Sequence, residues 1–481
     1  MATKKLQVLF AAFEATPFVK TGGLGDVAGS LPSALKNRSC EVRVILPKLH
    51  QIPQKYRDKM ETLSVFQVPL GWRNQYCGIQ TLKLGKIQYY FVDNEFYFAR
   101  DNVYGYGDDC ERVAYFSKAV LECLQHLPDF FPDVIHLNDW HTALIPVFLR
   151  EQYQAMEGYR HIRTVFTIHN LKFQGICHRF FLGDLLGLDG CKNAADQLRF
   201  GHDSINFLQS ALYYSDAITT VSPTYAREIC TTAYGEGLEG VLNQRRDRLS
   251  GILNGIDREK YSPAGALFPF SPEDLSGKAA CKAALQEELG LPVNPDTPLL
   301  VLISRLTDQK GLDLLSGCIG SLLGQDVQLA VLGTGEEHYQ HLLESCSSLR
   351  PDRMAVRFTF DEPLSMRMYA GADMLLMPSL FEPCGLNQMI AMAYGTLPIV
   401  RETGGLRDSV IPYNKYTGEG CGFSFRNVSA QELEQCIETA LSLYREDKSA
   451  WHALMRQAMG RDFGWSASAA SYLSLYRKLL K

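Results

Sequence analysis

No window of the 481 residues reaches the roughly 18 apolar side chains that a membrane-spanning helix needs. No long basic run occurs either. Lys+Arg 48 against Asp+Glu 53 gives a net charge of -5, so the footprint of a nucleic-acid binder is missing. The 13 cysteines are numerous but scattered, with no two within four residues of each other, which excludes the paired C-x-x-C of zinc and thioredoxin-type sites. The expectation is buried, reduced thiols in a cytoplasmic protein. The opening Met1–Lys5 followed by Leu6–Phe13 imitates a signal peptide. Glu14 stops the apolar run and no small-residue cleavage site follows, so the segment reads as a first buried strand. No transit-type segment is visible.

What is present is an ordinary globular composition, 46% hydrophobic and 21% charged, in a chain long enough for two cores. Short apolar runs alternate with amphipathic stretches. Strands are expected at Leu6–Phe13, Val42–Leu46, Val134–Leu137, Thr164–His169 and Ala217–Val221. A second series is expected at Leu299–Ser304, Gln328–Leu332, Val356–Phe360, Met374–Pro378 and Pro398–Val400. Helical stretches such as Glu111–Leu127, Leu312–Leu323 and Leu386–Tyr394 lie between them, so the pattern implies βαβ units and parallel sheets. Gln67–Asn94 has strand-like runs without helices, which implies an antiparallel region. Periodicity lapses from Asn254 to about Pro272, the expected linker. The division expected is therefore 1–253 and 254–462, with a last helix, in 463–481, returning to the first domain.

Two segments share the pattern T-G-G-L-x-D: Thr21–Asp26 and Thr403–Asp408. Either alone is an ordinary glycine turn. Together they suggest two related Rossmann-like domains, each presenting a glycine turn at the carboxyl edge of its sheet, where open α/β sheets bind ligands. Lys20 precedes the first turn, and glycine amides with a lysine suit an anion. The turn is neither the dinucleotide G-x-G-x-x-G nor a Walker loop, because G-K-[ST] is absent. His136-Leu-Asn-Asp139-Trp-His141 ends one strand, where Asn138 or Asp139 is also a natural helix cap. His169 ends another. Arg305 and Lys310 flank a turn closed by Gly311, an arrangement that can hold a diphosphate without a metal. In Ser379-Leu-Phe-Glu382-Pro-Cys384-Gly385-Leu386 a carboxylate precedes a helix start. Cys384 has no local His or Asn, which favours packing or substrate contact over a nucleophilic role.

In this order, these segments resemble the bacterial and plant-starch type of glycogen synthase, a family of retaining glycosyltransferases with two facing Rossmann-like domains, the GT-B fold. The matching stretches are Lys20–Asp26, Asn138–His141, Thr167–Asn170, Ser215–Glu228, Leu253–Asp257, Ser304–Leu312, Phe381–Leu386 and Thr403–Leu406, and they span nearly the whole chain. The resemblance implies that Lys20 and the amides of Gly22 and Gly23 line the donor phosphate and glucose, with Asp26 and Asn254 also in the substrate site. Asp139 and His169 would contact the glucosyl group, Arg305 and Lys310 would clamp the diphosphate, and Glu382, Cys384, Gly385 and Leu386 would surround the transferred glucose. Phe360 would stack on the base.

The implied reaction moves glucose from ADP-glucose, with UDP-glucose as the alternative donor, to the non-reducing end of an α-1,4-glucan such as glycogen. Configuration is retained, and no cofactor and no metal take part. No nucleic-acid or membrane partner is implied. Three departures lie near the nucleotide: Ile390 where the wider pattern has a second Glu, Phe360-Asp361 where Tyr-His is frequent, and Asn387 where Thr is common. They leave the choice of base open. Two rivals remain at this stage: a related enzyme with a small acceptor, and a catalytically silent sugar-binding protein.

Overall fold

The computed structural model describes residues 5–36, 38 and 40–481; most of the leader-like Met1–Lys5 lies outside them. The chain divides into two compact units, Met1–Gly255 with Trp465–Lys481, and Ile256–Gly464.

The first unit is built on a nine-stranded sheet. Its strands are β1 (Leu6–Ala11), β2 (Cys40–Pro47), β3 (Glu61–Leu70), β4 (Arg73–Leu84), β5 (Ile87–Asp93), β6 (Val134–Asn138) and β7 (Arg163–Ile168), followed, after three short strands, by β11 (Ala217–Thr220) and β12 (Leu249–Gly251). Their spatial order is β12-β11-β7-β6-β1-β2-β5-β4-β3. From β12 to β5 every neighbour is parallel, whereas β5, β4 and β3 are antiparallel to one another, as the helix-free run Gln67–Asn94 implies. Parallel strands covered on both faces must be apolar throughout, and β6 and β1 are buried nearly end to end. The short strands β8 (Ile176–His178), β9 (Arg199–Phe200) and β10 (Ser204–Asn206) form a separate sheet that the alternation pattern does not reveal. The helix Trp465–Leu479 belongs to this unit. Its Tyr476 hydroxyl lies 2.6 Å from Nδ1 of His136, and Ser468 donates to the Leu253 carbonyl at 2.5 Å.

The second unit holds one six-stranded, wholly parallel sheet: β13 (Leu299–Ile303), β14 (Gln328–Leu332), β15 (Met354–Arg357), β16 (Met374–Met377), β17 (Leu397–Arg401) and β18 (Phe423–Phe425), ordered β15-β14-β13-β16-β17-β18. Counted within the unit this is the doubly wound order 3-2-1-4-5-6. The parallel part of the first sheet follows the same rule, with β1 in the first position and β6 in the fourth. Each sheet therefore reverses its winding once, between β1 and β6 in the first and between β13 and β16 in the second, and the crevice at the carboxyl ends there is where such sheets take ligands.

Two expectations are corrected. The strand placed at Val356–Phe360 runs instead over Met354–Arg357. Asp361 caps the helix Glu362–Gly371 by accepting from the Leu364 amide at 2.8 Å, and Pro363 sits in that helix's first turn, so residues 358–361 are connection rather than strand. Nor are all the thiols reduced: Cys110 and Cys177 form a disulfide, tying the start of the helix Asp109–Cys123 to β8 across 67 residues of sequence. Among the described residues no helix is long and apolar enough to cross a membrane.

Candidate functional site

In the first unit the chain leaves β1 with Glu14, a carboxylate only 2% exposed. It organises the glycine turn. One oxygen accepts from both the amide and the hydroxyl of Thr21 at 2.6 Å, and the other accepts from the Gly25 amide at 3.0 Å. Burial raises the Glu14 pKa despite these bonds. The helix Gly23–Lys36 starts inside the turn, and Gly29 allows close approach, since a Cβ there would overlap Thr16. Gly22 is exposed, and a Cβ on it would meet nothing within 4 Å. Lys20 rests on Asp26 at 2.8 Å.

The adjacent crevice wall is the end of β6. Asp139 has φ 57 and ψ 179, a conformation that a non-glycine residue rarely adopts. Its carboxylate does not cap the short turn Trp140–Thr142, so the capping role is not realised there. Instead Oδ1 accepts from the His169 amide at 2.7 Å and the Asn170 amide at 3.4 Å. Burial moves the Asp139 pKa up to about 7, the two amides opposing it. Asn138 Oδ1 lies 2.9 Å from Nε2 of His169, fixing that ring, and burial lowers His169 to about 3, a neutral imidazole. His141 is stacked between Phe13 and Tyr104 with ring centres 5.1 and 4.6 Å away, and its Nδ1 is buried without a partner among the described residues. His136 is a different case: Tyr476 and Thr167 occupy both its nitrogens, so it is structural. Asn254, next to the end of the unit's first segment, has a buried side chain whose Oδ1 has no partner among the described residues.

In the second unit β13 and β16 deliver the charged groups to the switch point. Arg305 follows β13 and is exposed. Lys310 ends a short 3-10 turn closed by Gly311, whose φ of 72 and closeness to the Pro378 carbonyl leave no room for a Cβ. Its ammonium meets Glu382 at 2.6 Å, and Ser379 donates to the same carboxylate oxygen at 3.2 Å. Glu382 is 8% exposed. Its loop is fixed by backbone and by Arg401, which donates to the carbonyls of Ser379 (2.8 Å) and Leu380. The second glycine turn packs against that loop. The Gly405 amide donates to the Glu382 and Pro383 carbonyls at 3.1 and 3.2 Å, and a Cβ on Gly404 or Gly405 would run into Glu382 or Cys384 backbone. Cys384 is a buried thiol, Gly385 has φ 69, and Leu386 leads into the helix Asn387–Ala393.

The candidate residues thus gather at two points. Lys20, Gly22, Gly23, Asp26, Asp139 and His169 lie at the switch point of the first sheet. Arg305, Lys310, Glu382, Cys384, Gly385 and Leu386 lie at that of the second. Phe360 stands apart from them in sequence, on the connection after β15, and is 81% exposed. Asn387 donates to the Ile303 carbonyl at 2.7 Å, and Ile390 is buried. Sequence reasoning missed Glu14, Arg401 and a third turn, Gly333-Thr-Gly335, where a Cβ on either glycine would overlap the carbonyl of Ser304 or Leu306. The available signals were a carboxylate ending an apolar strand and a G-x-G directly after β14.

Two family models match the chain: the starch synthase catalytic domain over residues 7–244, and the glycosyl transferases group 1 over residues 287–453. Among curated relatives, the glycogen synthase of Desulfitobacterium hafniense is 50% identical over 474 residues, covering 98% of this chain and 99% of that protein. The glycogen synthase of Clostridioides difficile is 46% identical over 481 residues, covering 98% and 100%. Among solved structures, the catalytic domain of starch synthase IV from Arabidopsis thaliana, bound to ADP and acarbose, matches with a TM-score of 0.90 at 34% identity, covering 99% of this chain and 100% of that one. Sucrose-phosphate synthase from Thermosynechococcus elongatus matches with a TM-score of 0.62 at 17% identity, covering 99% of each chain, a likeness of fold alone.

Proposed function

The chain belongs to the glycogen synthase family of glycosyltransferases, and on that premise we propose that it transfers glucose from ADP-glucose to the non-reducing end of an α-1,4-glucan, with retention of configuration. The observation that carries the reading is the Lys310–Glu382 pair at the switch point of the second sheet, with Arg305 on the neighbouring strand end. The anomeric C–O bond to the diphosphate breaks, a bond to the glucan 4-hydroxyl oxygen forms, and the hydroxyl proton leaves to the departing diphosphate. Negative charge grows on that leaving group, so cations preorganised beside it lower the barrier. Lys310, held now by Glu382, would exchange that partner for phosphate oxygens, and Arg305 would add a fork of donors. Positive charge develops on the sugar, and the Glu382 carboxylate would stabilise it. No metal is required in this scheme.

In the first unit Lys20 with the amides of Gly22 and Gly23 would approach phosphate and sugar. The open space over Gly22 supports this, as do the unpartnered buried atoms of His141 and Asn254, which a sugar hydroxyl would satisfy. Asp139 and neutral His169 would bind the glucosyl group. The Arabidopsis relative, bound to ADP, makes ADP-glucose the first choice. The exposed Phe360 ring can stack on either base, and the Asp361 carboxylate is engaged in its helix cap, so discrimination between bases rests on few contacts worth about 1–3 kcal/mol each. UDP-glucose is therefore a measurable second donor. The test is kcat/KM for both donors on one glycogen sample. Turnover with both supports the reading, and a preference above roughly 10⁴-fold removes the claim of relaxed discrimination. No membrane association is part of this reading, and the expected compartment is the cytoplasm.

A further inference from the structure

Within the first unit, and apart from the residues discussed above, the helix Asp109–Cys123 carries Lys118 into a pocket of about 220 Å³. Lys118 is 8% exposed. Its ammonium donates to Gln152 Oε1 and lies 5.0 and 4.8 Å from the ring centres of Phe148 and Tyr153. Among the described residues no carboxylate oxygen is within ion-pair distance of it. Glu122, one turn along the same helix, instead receives the Tyr153 hydroxyl. A lysine has three donors, and one neutral acceptor leaves this one short. A buried charge with no counter-ion is costly, and two aromatic faces offset the cost only in part.

The walls show what would complete it. Leu70, Phe148 and Leu186 supply apolar surface, and Gln152 is fixed by donating to the Leu186 carbonyl at 3.1 Å. Gly71 and Gly187, with φ 57 and 64, shape the rim, and Gly71 is pressed so closely on the Asp184 carbonyl that no Cβ fits. We propose that this pocket is a binding site for a small organic carboxylate, its head on Lys118 and its short apolar body against Leu70, Phe148 and Leu186. A single cation suits a monoanion; phosphate, with more oxygens, calls for more donors than are present. At about 30 Å³ per displaced water, the volume takes a molecule of about four or five carbons. The environment also lowers the Lys118 pKa to about 8, burial outweighing the opposing pull of Glu122, as expected of an ammonium that lacks an adjacent anion.

The test uses the whole chain, with butanoate and its neutral analogue butanamide as probes in ligand-observed NMR titrations. Butanoate is expected to bind saturably and butanamide at least about tenfold more weakly, since the charge is the recognised feature. Lys118→Met should weaken butanoate at least about tenfold. Gln152→Glu is nearly isosteric and places a carboxylate beside the ammonium, so it too should weaken butanoate by about tenfold while leaving the fold intact by circular dichroism. This second variant decides the matter if Lys118→Met fails to fold. Equal binding of acid and amide, undiminished butanoate binding by Gln152→Glu, or no saturable binding up to about 100 mM would each overturn the proposal.

Discussion

The two T-G-G-L turns share a sequence and differ in what holds them. Around Thr21–Leu24 the organiser is a side chain, the buried Glu14, which receives the Thr21 amide and hydroxyl and the Gly25 amide. Around Thr403–Leu406 main chain takes part: the carbonyls of Glu382 and Pro383 receive the Gly405 amide. Consequently the glycines do different work. Gly22 faces open space, so its missing side chain leaves room for a ligand. Gly404 and Gly405 lie against the 382–384 backbone, so their missing side chains set the position of Glu382. One motif serves access in the first unit and architecture in the second.

Substituting the glycines separates these roles. Gly405→Ala is expected to displace the Glu382 loop, lowering turnover by about 10³-fold and stability by about 3 kcal/mol, because backbone has to move. Gly22→Ala should leave the melting temperature unchanged and lower turnover by only about tenfold, through crowding of the ligand. Steady-state kinetics with parallel thermal melts read both quantities. A melting temperature for Gly405→Ala equal to that of the unsubstituted chain would erase the distinction.

The lysines extend the comparison. Each rests on a carboxylate, Lys310 on Glu382 at 2.6 Å and Lys20 on Asp26 at 2.8 Å. Lys310→Ala should cost about 10²-fold in turnover at saturating donor, the scale of one preorganised transition-state contact, and Lys20→Ala nearer tenfold. Equal losses would contradict the larger role given to Lys310.

Titration also divides the units. The Asp139 carboxyl, raised to about 7, keeps a proton in the native state that the unfolded chain releases near pH 4. Stability from this group therefore falls as pH rises from about 4 to about 7. Asp139→Asn should stabilise the first unit by about 2 kcal/mol at pH 8 and hardly at all at pH 4, while abolishing most turnover. The histidines act in the opposite sense. His136, His141 and His169, all lowered to about 3 chiefly by burial, bind protons only on unfolding, so their stabilisation is complete above about pH 6.5 and is lost as pH falls. With Asp139 and, in the same direction, Glu14 offsetting part of this, the first unit should lose roughly 1–2 kcal/mol per pH unit below 6. Amide hydrogen exchange at pH 5 and 7 should show its strands opening before those of the second unit; simultaneous opening would contradict the assignment.

Much of this was legible in the sequence because parallel strands are buried on both faces and appear as short apolar runs, so that Asp139 and Arg305 could be placed just past strand ends and His169 at one. What was hidden depends on contacts remote in sequence. Glu14 read as the polar end of a hydrophobic run, yet it is buried and anchors a turn seven residues on. Arg401 closes the strand β17 and acts on carbonyls 21 and 22 residues earlier. The Cys110–Cys177 pairing joins residues 67 apart, which spacing alone does not reveal. The slip at β15 arose because Phe358-Thr-Phe360 continues an apolar alternation past the point where Asp361 and Pro363 start a helix.

In the proposed reaction, cations at the second sheet's switch point support glucosyl transfer from a nucleotide donor to a glucan. This role is tested most directly by incubating ADP-glucose carrying a 13C label at the anomeric carbon with glycogen, and following the label by NMR in the unsubstituted chain and in Lys310→Ala. Label is expected in new α-1,4 linkages, at a rate about 10²-fold lower in the variant. Release of ADP with the label appearing as free glucose, or transfer equally fast in both proteins, would contradict it.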